Sequence, residues 1–166
     1  MKPSLISAKH LHIHLPPMSI AMPWPTPGSA PEPVDEPAHR FQLSNDGTTV
    51  IDHRTGLMWA AEESGARMDF ASAETYCSEL RLGGFDDWRL PDLPELEGIR
   101  DLTRHEPCID TSVFKSNSTW VWSRTPTAWS SGYAWLVDFD YGHVYYLHRN
   151  YTAFVRAVRR VAPASQ

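Results

Sequence analysis

The chain has 166 residues and a mass of 18.8 kDa, and 42% of its residues are hydrophobic. This length and apolar content predict one domain with a core of its own plus an extension. The formal net charge of −5 and the pI of about 5.9 argue against a nucleic-acid partner, which would need a basic face.

Residues 1–39 differ in composition from the rest of the chain. The stretch 11–15 alternates leucine or isoleucine with histidine and predicts a short strand that Pro16 and Pro17 end. Between residues 22 and 37 a proline recurs every second to fourth position, which favours extended polyproline-type backbone. We interpret residues 1–39 as a Pro-rich arm that lies on another chain of an assembly, with a disordered tail as the alternative.

Three histidines in this arm are the candidate metal ligands. Alternate residues of a strand share a face, so His10, His12 and His14 would point the same way. Around the axis of a trimer they would form a nitrogen-rich site for zinc, iron or nickel. A solvated or interface segment explains the same pattern and is the interpretation we favour, so we predict no cofactor.

No stretch of the chain is apolar for long enough to form the central region of a signal peptide or to span a membrane. We therefore predict a protein without a signal peptide and without a membrane partner. A virion or another particle is the predicted location, with the cytoplasm as the alternative.

The globular domain is predicted to span residues 40–161, followed by a short tail at 162–166. Turn signals at 44–47 and 54–56 separate its first three strands. A pattern of strands and turns returns after Ser112. The predicted strands are 41–43, 49–52, 57–59, 120–122, 134–139, 143–146 and 154–158.

Two helices are predicted between these groups of strands. Asp69 is placed to cap the first helix, and Gly83 and Gly84 are expected to end it. Asp92 is placed to cap the second helix. Helices segregated from short antiparallel strands define an α+β domain. The apolar positions are Phe70, Ala73, Tyr76, Cys77 and Leu80 on the first helix, and Leu93, Leu96 and Ile99 on the second.

The two cysteines allow one disulfide at most, and their spacing matches no zinc motif. We interpret Cys77 as a buried thiol on the first helix and Cys108 as a thiol in a loop. Arg156, Arg159 and Arg160 alternate with valine and alanine near the C-terminus. We expect these arginines to pair with the abundant carboxylates.

The segment 132–159 is dense in Tyr, His, Asp and Asn, and it alternates these residues with apolar ones. Tyrosine supplies rigid, amphipathic contact area, and the small polar residues supply adaptable hydrogen bonds. The pattern therefore predicts a recognition surface displayed on an apolar framework. The predicted framework positions are Trp135, Val137, Phe139, Val144, Val155 and Val158. The predicted ligand-binding face consists of Trp129, Tyr133, Asp138, Asp140, Tyr141, His143, Tyr145, Tyr146, His148, Asn150 and Tyr151.

A catalytic site is not predicted. The chain lacks the motifs of the serine-hydrolase elbow, the zinc proteases and the phosphate loop. His143 and His148, together with Asp138 and Asp140, admit an alternative interpretation as an acid–base or metal cluster. Their alternation along a Tyr-rich hairpin favours ligand contact.

Five sequence strings occur in an order that is typical of one family. They are Asp-His-Arg-Thr-Gly-Leu-Met-Trp at 52–59, Ala-Glu-Thr-Tyr-Cys at 73–77, Leu-Gly-Gly-Phe-Asp-Asp-Trp-Arg-Leu-Pro at 82–91, Glu-Leu at 95–96 and Trp-Ser at 122–123. Through them, residues 41 to 160 closely resemble the Lcl-C family, named for the C-terminal domain of a collagen-like bacterial adhesin. The resemblance implies a C-type-lectin-like domain, a variant of the fold that is related to the formylglycine-generating enzymes.

The string that ends at residue 91 also has a physical interpretation. Trp88 is a large anchor for a small core, and Arg89 offers a planar fork for a carboxylate or for carbonyl groups. We interpret residues 87–91 as fold-determining. The alternative is a calcium site formed by Asp86, Asp87 and Glu95.

The resemblance also implies relatives of two different kinds. Some are phage receptor-binding proteins whose C-terminal codons are randomised at adenines by diversity-generating retroelements. Such mutation of asparagine-type codons does not yield Glu, Lys, Gln, Met or Trp, and residues 138–154 contain none of these. Others are enzymes that use two cysteines to oxidise a substrate cysteine. The stretch 154–158 has no cysteine, which disfavours an oxidase.

We therefore predict a non-enzymatic recognition or adhesion module. It would bind a host-surface protein or glycan, form a homo-oligomer, and attach through residues 1–39 to other chains of a phage tail or a similar assembly. The alternative is a structural protein that cements a tail or capsid, with its Tyr-rich face as a subunit interface.

Overall fold

The computed structural model of the chain describes residues 39–116 and 120–161. The predicted arm up to residue 38, with His10, His12 and His14, and the predicted tail 162–166 lie outside the described residues. The described residues form an α+β domain of two short helices and short antiparallel strands, as predicted, and the strands are arranged in two small sheets. Within them, no helix is long and apolar enough to cross a membrane.

The first sheet joins the start of the domain to its end. Its strands follow the order β1-β2-β3-β7, and every neighbouring pair is antiparallel. The turn at 44–47 connects β1 to β2, as predicted, and Gly47 adopts a φ of 69° there. The strands are β1 (Phe41–Leu43), β2 (Thr49–Asp52), β3 (Leu57–Ala60) and β7 (Val158–Arg160).

The two helices begin at the predicted caps. Helix α1 (Phe70–Glu79) is capped by Asp69, whose Oδ1 accepts a hydrogen bond of 2.8 Å from the backbone N–H of Ser72. Helix α2 (Leu93–Gly98) follows Asp92, whose backbone N–H donates to Glu95 Oε2 at 2.7 Å. Both helices therefore start where a side-chain oxygen satisfies a free N–H group.

The end of α1 differs from the prediction. The helix stops at an extended Leu80, before the glycine pair is reached. Gly83 and Gly84, with φ values of 59° and 81°, instead form a tight turn in which Leu82 and Phe85 exchange backbone hydrogen bonds. Glycine is needed there because both positions have left-handed backbone.

The second sheet carries most of the predicted ligand-binding residues. Its strand order is β4-β5-β6, with β5 in the centre and both pairs antiparallel. In the second pair Tyr133 lies opposite His148, and Asp138 lies opposite His143. The strands are β4 (Trp120–Thr127), β5 (Ser130–Asp138) and β6 (His143–His148).

The predicted strand at 154–158 is wrong in its position, because the regular strand β7 begins only at Val158. Before it, the chain bonds to irregular partners: Val155 N–H donates to Ser64 Oγ at 2.9 Å, and Ser64 N–H donates to Val155 O at 2.8 Å. The alternation of valine and arginine resembles that of a strand with one exposed face, but Val155, Arg156 and Val158 are all buried.

A buried ion pair ties this irregular stretch to the core. Arg156 Nη2 contacts Glu63 Oε1 at 2.8 Å, and both side chains are fully buried. Arg156 also donates to the carbonyl oxygens of Ala60, Ala61 and Lys115 at 2.8–3.1 Å. Burial lowers the pKa of the Arg156 guanidinium, and the Glu63 carboxylate opposes that shift. Truncating either partner would leave a buried charge without its counterion.

The contacts of residues 87–91 support their interpretation as fold-determining. Arg89 donates to both carboxylate oxygens of Glu95 at 2.7 and 2.8 Å. Arg159 donates to Asp87 at 2.5 Å, and the Trp88 indole is almost fully buried. Arginines thus pair with two of the three carboxylates of the alternative calcium site, those of Asp87 and Glu95. Across the described ranges, no group of three or more His, Cys, Asp or Glu residues is placed to hold a metal ion.

Candidate functional site

The antiparallel ribbon of β5 and β6 presents two opposite faces. Successive side chains of a strand point to opposite sides of the sheet, so residues paired across the ribbon share a face. Tyr133 and its cross-strand partner His148 lie on one face, and Asp138 and its partner His143 lie on the other. The register therefore assigns each aromatic side chain to a face.

Five aromatic side chains pack together on the first face. The Trp129 indole lies 5.0 Å from the Tyr146 ring and 5.7 Å from the Trp135 ring, centroid to centroid, and both contacts are edge-to-face. Tyr133 extends the group through Tyr146 at 6.0 Å and His148 at 5.1 Å. These separations are those of favourable aromatic pairs. We name this group, Trp129, Tyr133, Trp135, Tyr146 and His148, the Trp129 cluster.

A structured turn holds Trp129 over this face. Trp129 lies in the tight connection between β4 and β5. Thr127 Oγ1 donates to Ser130 O at 2.8 Å across that connection, and Gly132 N–H donates to Ser130 Oγ at 3.2 Å. The Trp129 side chain is nevertheless 59% exposed. The turn thus presents a large aromatic surface in a fixed orientation.

A second aromatic group lies at one end of the opposite face. The Tyr145 ring lies 5.8 Å from the His143 ring and 6.3 Å from the Trp120 indole. His143 Nδ1 is also within hydrogen-bond distance of Tyr145 Oη, at 3.1 Å, and Tyr141 lies 6.2 Å from the His143 ring. We name Trp120, Tyr141, His143 and Tyr145 the His143 cluster.

The ligand-binding residues were predicted to form one face, and the structure places them on two. Tyr133, Tyr146 and His148 point to one side of the sheet, while His143 and Tyr145 point to the other. Neighbouring tyrosines in sequence are separated because the side-chain period of a strand is two residues. A single rigid ligand on one face therefore contacts only part of the predicted set.

Trp135 was predicted to belong to the apolar framework, and the structure places it at the base of the Trp129 cluster. Its side chain is half-buried and packs 5.8 Å from Tyr146 within the Trp129 cluster. The fully buried residues of β5 are Val137, which was predicted to belong to the framework, and Ala134 and Leu136, which were not. Trp120, absent from the predicted set, is exposed in the His143 cluster. The cross-strand register would have identified both tryptophans, but the sequence does not give it.

The polar residues of the predicted set take different positions. Asp138 is only 6% exposed, and its Oδ1 accepts a hydrogen bond of 2.9 Å from the backbone N–H of Asp140, so it shapes the turn before β6. Asn150 and Tyr151 are exposed in the turn after β6. Their backbone N–H groups donate to His148, at Nδ1 and at the carbonyl oxygen respectively. Asn150 and Tyr151 therefore follow His148, the last residue of the Trp129 cluster in the sequence.

The two thiols lie in separate parts of the core. Cys77 packs with Phe70 and Trp88, whereas Cys108 packs with Ile109 and residues of the other core cluster, and both are free. Burial raises the pKa of Cys77 to about 12 and also raises the pKa of Cys108. Neither residue therefore has the exposed, stabilised thiolate that thiol oxidation chemistry requires.

Comparison with known proteins supplies the family. Residues 48–159 match the family described as the Lcl C-terminal domain. This family is associated with collagen-like adhesins and is not a known catalytic family. The search of curated proteins found no match. Because the match covers most of the chain, including both helices, strands β2 to β6 and the first two residues of β7, the chain belongs to the Lcl C-terminal domain family, as its sequence strings predicted.

Proposed function

We propose that the protein is a non-enzymatic recognition module that binds its ligand through the Trp129 cluster. The observation that carries the proposal is the exposure of Trp129 in a ring network that fixes its orientation. Exposed aromatic side chains that are already ordered supply contact area without a large loss of side-chain entropy on binding. Such residues are typical centres of binding energy.

The composition of the cluster fits a host-surface protein or a glycan. Indole and phenol rings combine an apolar body with a polar edge, so they contact apolar faces and donate hydrogen bonds at the same time. Tyr146 contacts both indoles, and Tyr133 and His148 continue the network of rings from it. Asn150 and Tyr151, exposed after β6, would extend the contact.

The wider assignment starts from the association of the family with collagen-like adhesins and extends it to an assembly. A C-type-lectin-like scaffold would display the cluster, and the arm at 1–39 would attach it to a phage tail or another multi-subunit particle. Several copies in one assembly would offset a modest affinity at each site. A virion is the location that follows from this assembly.

The test uses two adjacent tyrosines as a matched pair. Tyr146 is 49% exposed and belongs to the Trp129 cluster, while Tyr145 is 45% exposed and points to the opposite face. Binding of the labelled full chain is measured on whole cells of candidate hosts and on a glycan array. We expect Trp129→Ala and Tyr146→Ala to weaken binding by about 30-fold, as for a residue central to an interface.

Tyr145→Ala is the control, and we expect its binding to stay within about threefold of the parent, as for a residue outside the interface. Melting curves of all three variants establish that the fold is retained. If Tyr145→Ala weakens binding as much as is expected for Trp129→Ala, and Trp129→Ala itself does not weaken it, the binding site lies at the His143 cluster.

The alternative of a cementing protein has one observation in its favour. Aromatic side chains are enriched in permanent subunit interfaces as well as in receptor-binding surfaces. The two functions differ in whether the Trp129 indole stays exposed in the assembled particle. Solvent quenching of tryptophan fluorescence in the particle, compared with a Trp129→Phe variant, distinguishes them.

A further inference from the structure

Strand β6 is the outer strand of the second sheet among the described residues. It pairs with β5 along its whole length, and the sheet order is β4-β5-β6. Outer strands carry main-chain donors and acceptors that no neighbouring strand satisfies. The six residues His143–His148 therefore form an edge that is long enough to pair with another strand.

The register determines which main-chain groups point outward. Arg149 N–H donates to Gly132 O at 2.8 Å, which makes this pair a hydrogen-bonded one. Hydrogen-bonded pairs alternate along an antiparallel ribbon, so His143, Tyr145 and Leu147 also bond to β5. The N–H and C=O groups of Val144 and Tyr146, and the N–H of His148, point away from the sheet.

The opposite edge of the same sheet is covered. Trp122 N–H donates to Phe154 O at 3.0 Å, and Phe154 N–H donates to Trp120 O at 2.8 Å. Arg124 N–H donates to Pro91 O at 2.8 Å. Val144 and Tyr146 have no such main-chain partners within the ranges 39–116 and 120–161. One edge is thus closed by the chain itself, and the other is left available.

Nothing in β6 protects the available edge. Soluble proteins block outer strands with lysine, proline, inward charges or a bulge. The sequence His-Val-Tyr-Tyr-Leu-His contains no lysine, no proline and no acidic residue. The pairing of β5 with β6 is regular, whereas the pairing of β4 with β5 contains two register shifts. The edge is regular in its pairing and carries no lysine, arginine, aspartate or glutamate, as is typical of a strand that accepts a partner.

We propose that β6 pairs with β6 of a second copy of this chain, antiparallel about a two-fold axis, to form a six-stranded sheet. The axis passes beside Tyr146, so that Tyr146 lies opposite Tyr146 of the second copy, and Val144 lies opposite His148 of the second copy. In this register the N–H and C=O of Tyr146 pair with those of Tyr146 in the second copy, and the N–H of His148 donates to the C=O of Val144 in the second copy. The N–H of Val144 meets the C=O of His148 in the second copy, an oxygen that also accepts from the Tyr151 N–H of its own chain. An isologous contact of this kind closes at two copies.

The chemistry of the edge favours a second copy over an unrelated strand. Across the two-fold axis an apolar Val144 meets an aromatic His148, and two tyrosines meet each other on the same face as the indoles of the Trp129 cluster. Aromatic and β-branched cross-strand pairs stabilise sheets, and no like charges face each other. Pairing would also place two Trp129 clusters on one continuous sheet face.

The experiment is a charge swap at the two-fold axis, made in the full chain. Tyr146→Lys puts two lysines opposite each other, and Tyr146→Glu puts two glutamates opposite each other, so we expect each variant alone to be a monomer. An equimolar mixture of the two is expected to regain a dimer containing one copy of each. Sedimentation velocity and native mass spectrometry measure the masses at matched protein concentrations.

Tyr145→Lys and Tyr145→Glu are the matched controls. In the proposed register Tyr145 faces Leu147 of the second copy. We therefore expect each of the two Tyr145 variants to form a dimer on its own, in the absence of the other variant. Circular dichroism and melting temperature confirm that each variant is folded. These masses are read without ligand, so the result is independent of the binding site proposed above.

Three results would overturn the proposal. They are a parent chain that is monomeric at all concentrations measured, a dimer that survives both Tyr146 charge variants, and a mixture that fails to regain a mixed dimer. A parent oligomer that ignores the charge at Tyr146 would place the contact elsewhere on the chain.

Discussion

The Trp129 cluster and the His143 cluster are built on the same three-stranded sheet from the same residue types, yet they differ in the packing of their rings. Rings of the Trp129 cluster each contact at least one other ring edge-to-face, and Trp135 is half-buried beneath them. In the His143 cluster the contacts of Trp120 and Tyr141 are tilted and lie beyond 6 Å. The difference teaches that an aromatic-rich segment becomes an ordered surface only where a neighbouring strand supplies a base.

The largest effect is expected from a change in the core that both clusters share. Glu63→Ala leaves the Arg156 guanidinium buried without its carboxylate. We expect the free energy of unfolding to fall by about 3–5 kcal/mol, because an uncompensated buried charge costs that much. Urea denaturation followed by far-UV circular dichroism measures it. Loss of one cluster with retention of the other would show that the two faces fold independently, which the shared core does not predict.

A smaller effect separates the clusters by their bases. Trp135→Ala removes a half-buried ring that contacts Trp129 and Tyr146, so we expect a loss of about 2 kcal/mol, below the cost of a fully buried tryptophan. Trp120→Ala, the equivalent change in the His143 cluster, should cost about 1 kcal/mol because its one ring contact is longer. Denaturation curves compare the two variants, and near-UV circular dichroism reports the order of the remaining rings. Equal costs would contradict the difference in support.

The smallest effect is the dependence of stability on pH. Hydrogen bonds from Arg159 and Arg124 lower the pKa values of Asp87 and Asp92 below the ordinary aspartate range. A carboxyl group whose pKa is depressed by folding stabilises the protein above its unfolded pKa, and this contribution is lost as pH falls through the folded pKa. We expect the urea midpoint to be flat above about pH 5 and to decrease below about pH 4.

In the Asp87→Asn variant the urea midpoint should decrease less at acidic pH than it does in the parent chain. Neither cluster contains a carboxylate, so near-UV signals from the aromatic rings should follow global unfolding and not precede it. A urea midpoint that rises as the pH falls would contradict the pairing of these carboxylates with arginines.

Local signals in the sequence predicted most of the fold. Asp69 and Asp92 cap their helices because a short polar side chain next to an apolar repeat has few other roles. The turn at 44–47 was recognisable because Gly47 adopts the backbone that asparagine- or aspartate-glycine turns need. The family strings also indicated the order of the helices and strands along the chain.

The site was predicted less well, because it depends on contacts between strands. A tyrosine-rich segment indicates display, but only the register separates Tyr145 from Tyr146 and joins Trp129 to Trp135. The alternation around Arg156 indicated a strand, while in fact it reflects a charge buried against Glu63, 93 residues earlier. Long-range pairing of this kind leaves no local trace in the sequence.

That separation has a consequence for how the protein is made. A ribosome releases Glu63, the whole of α1 and all of the second sheet before Arg156 emerges. Until then β3 also lacks β7, its neighbour in the first sheet. The domain therefore closes late in synthesis, because a nascent chain that ends before residue 156 lacks both β7 and the guanidinium that pairs with Glu63.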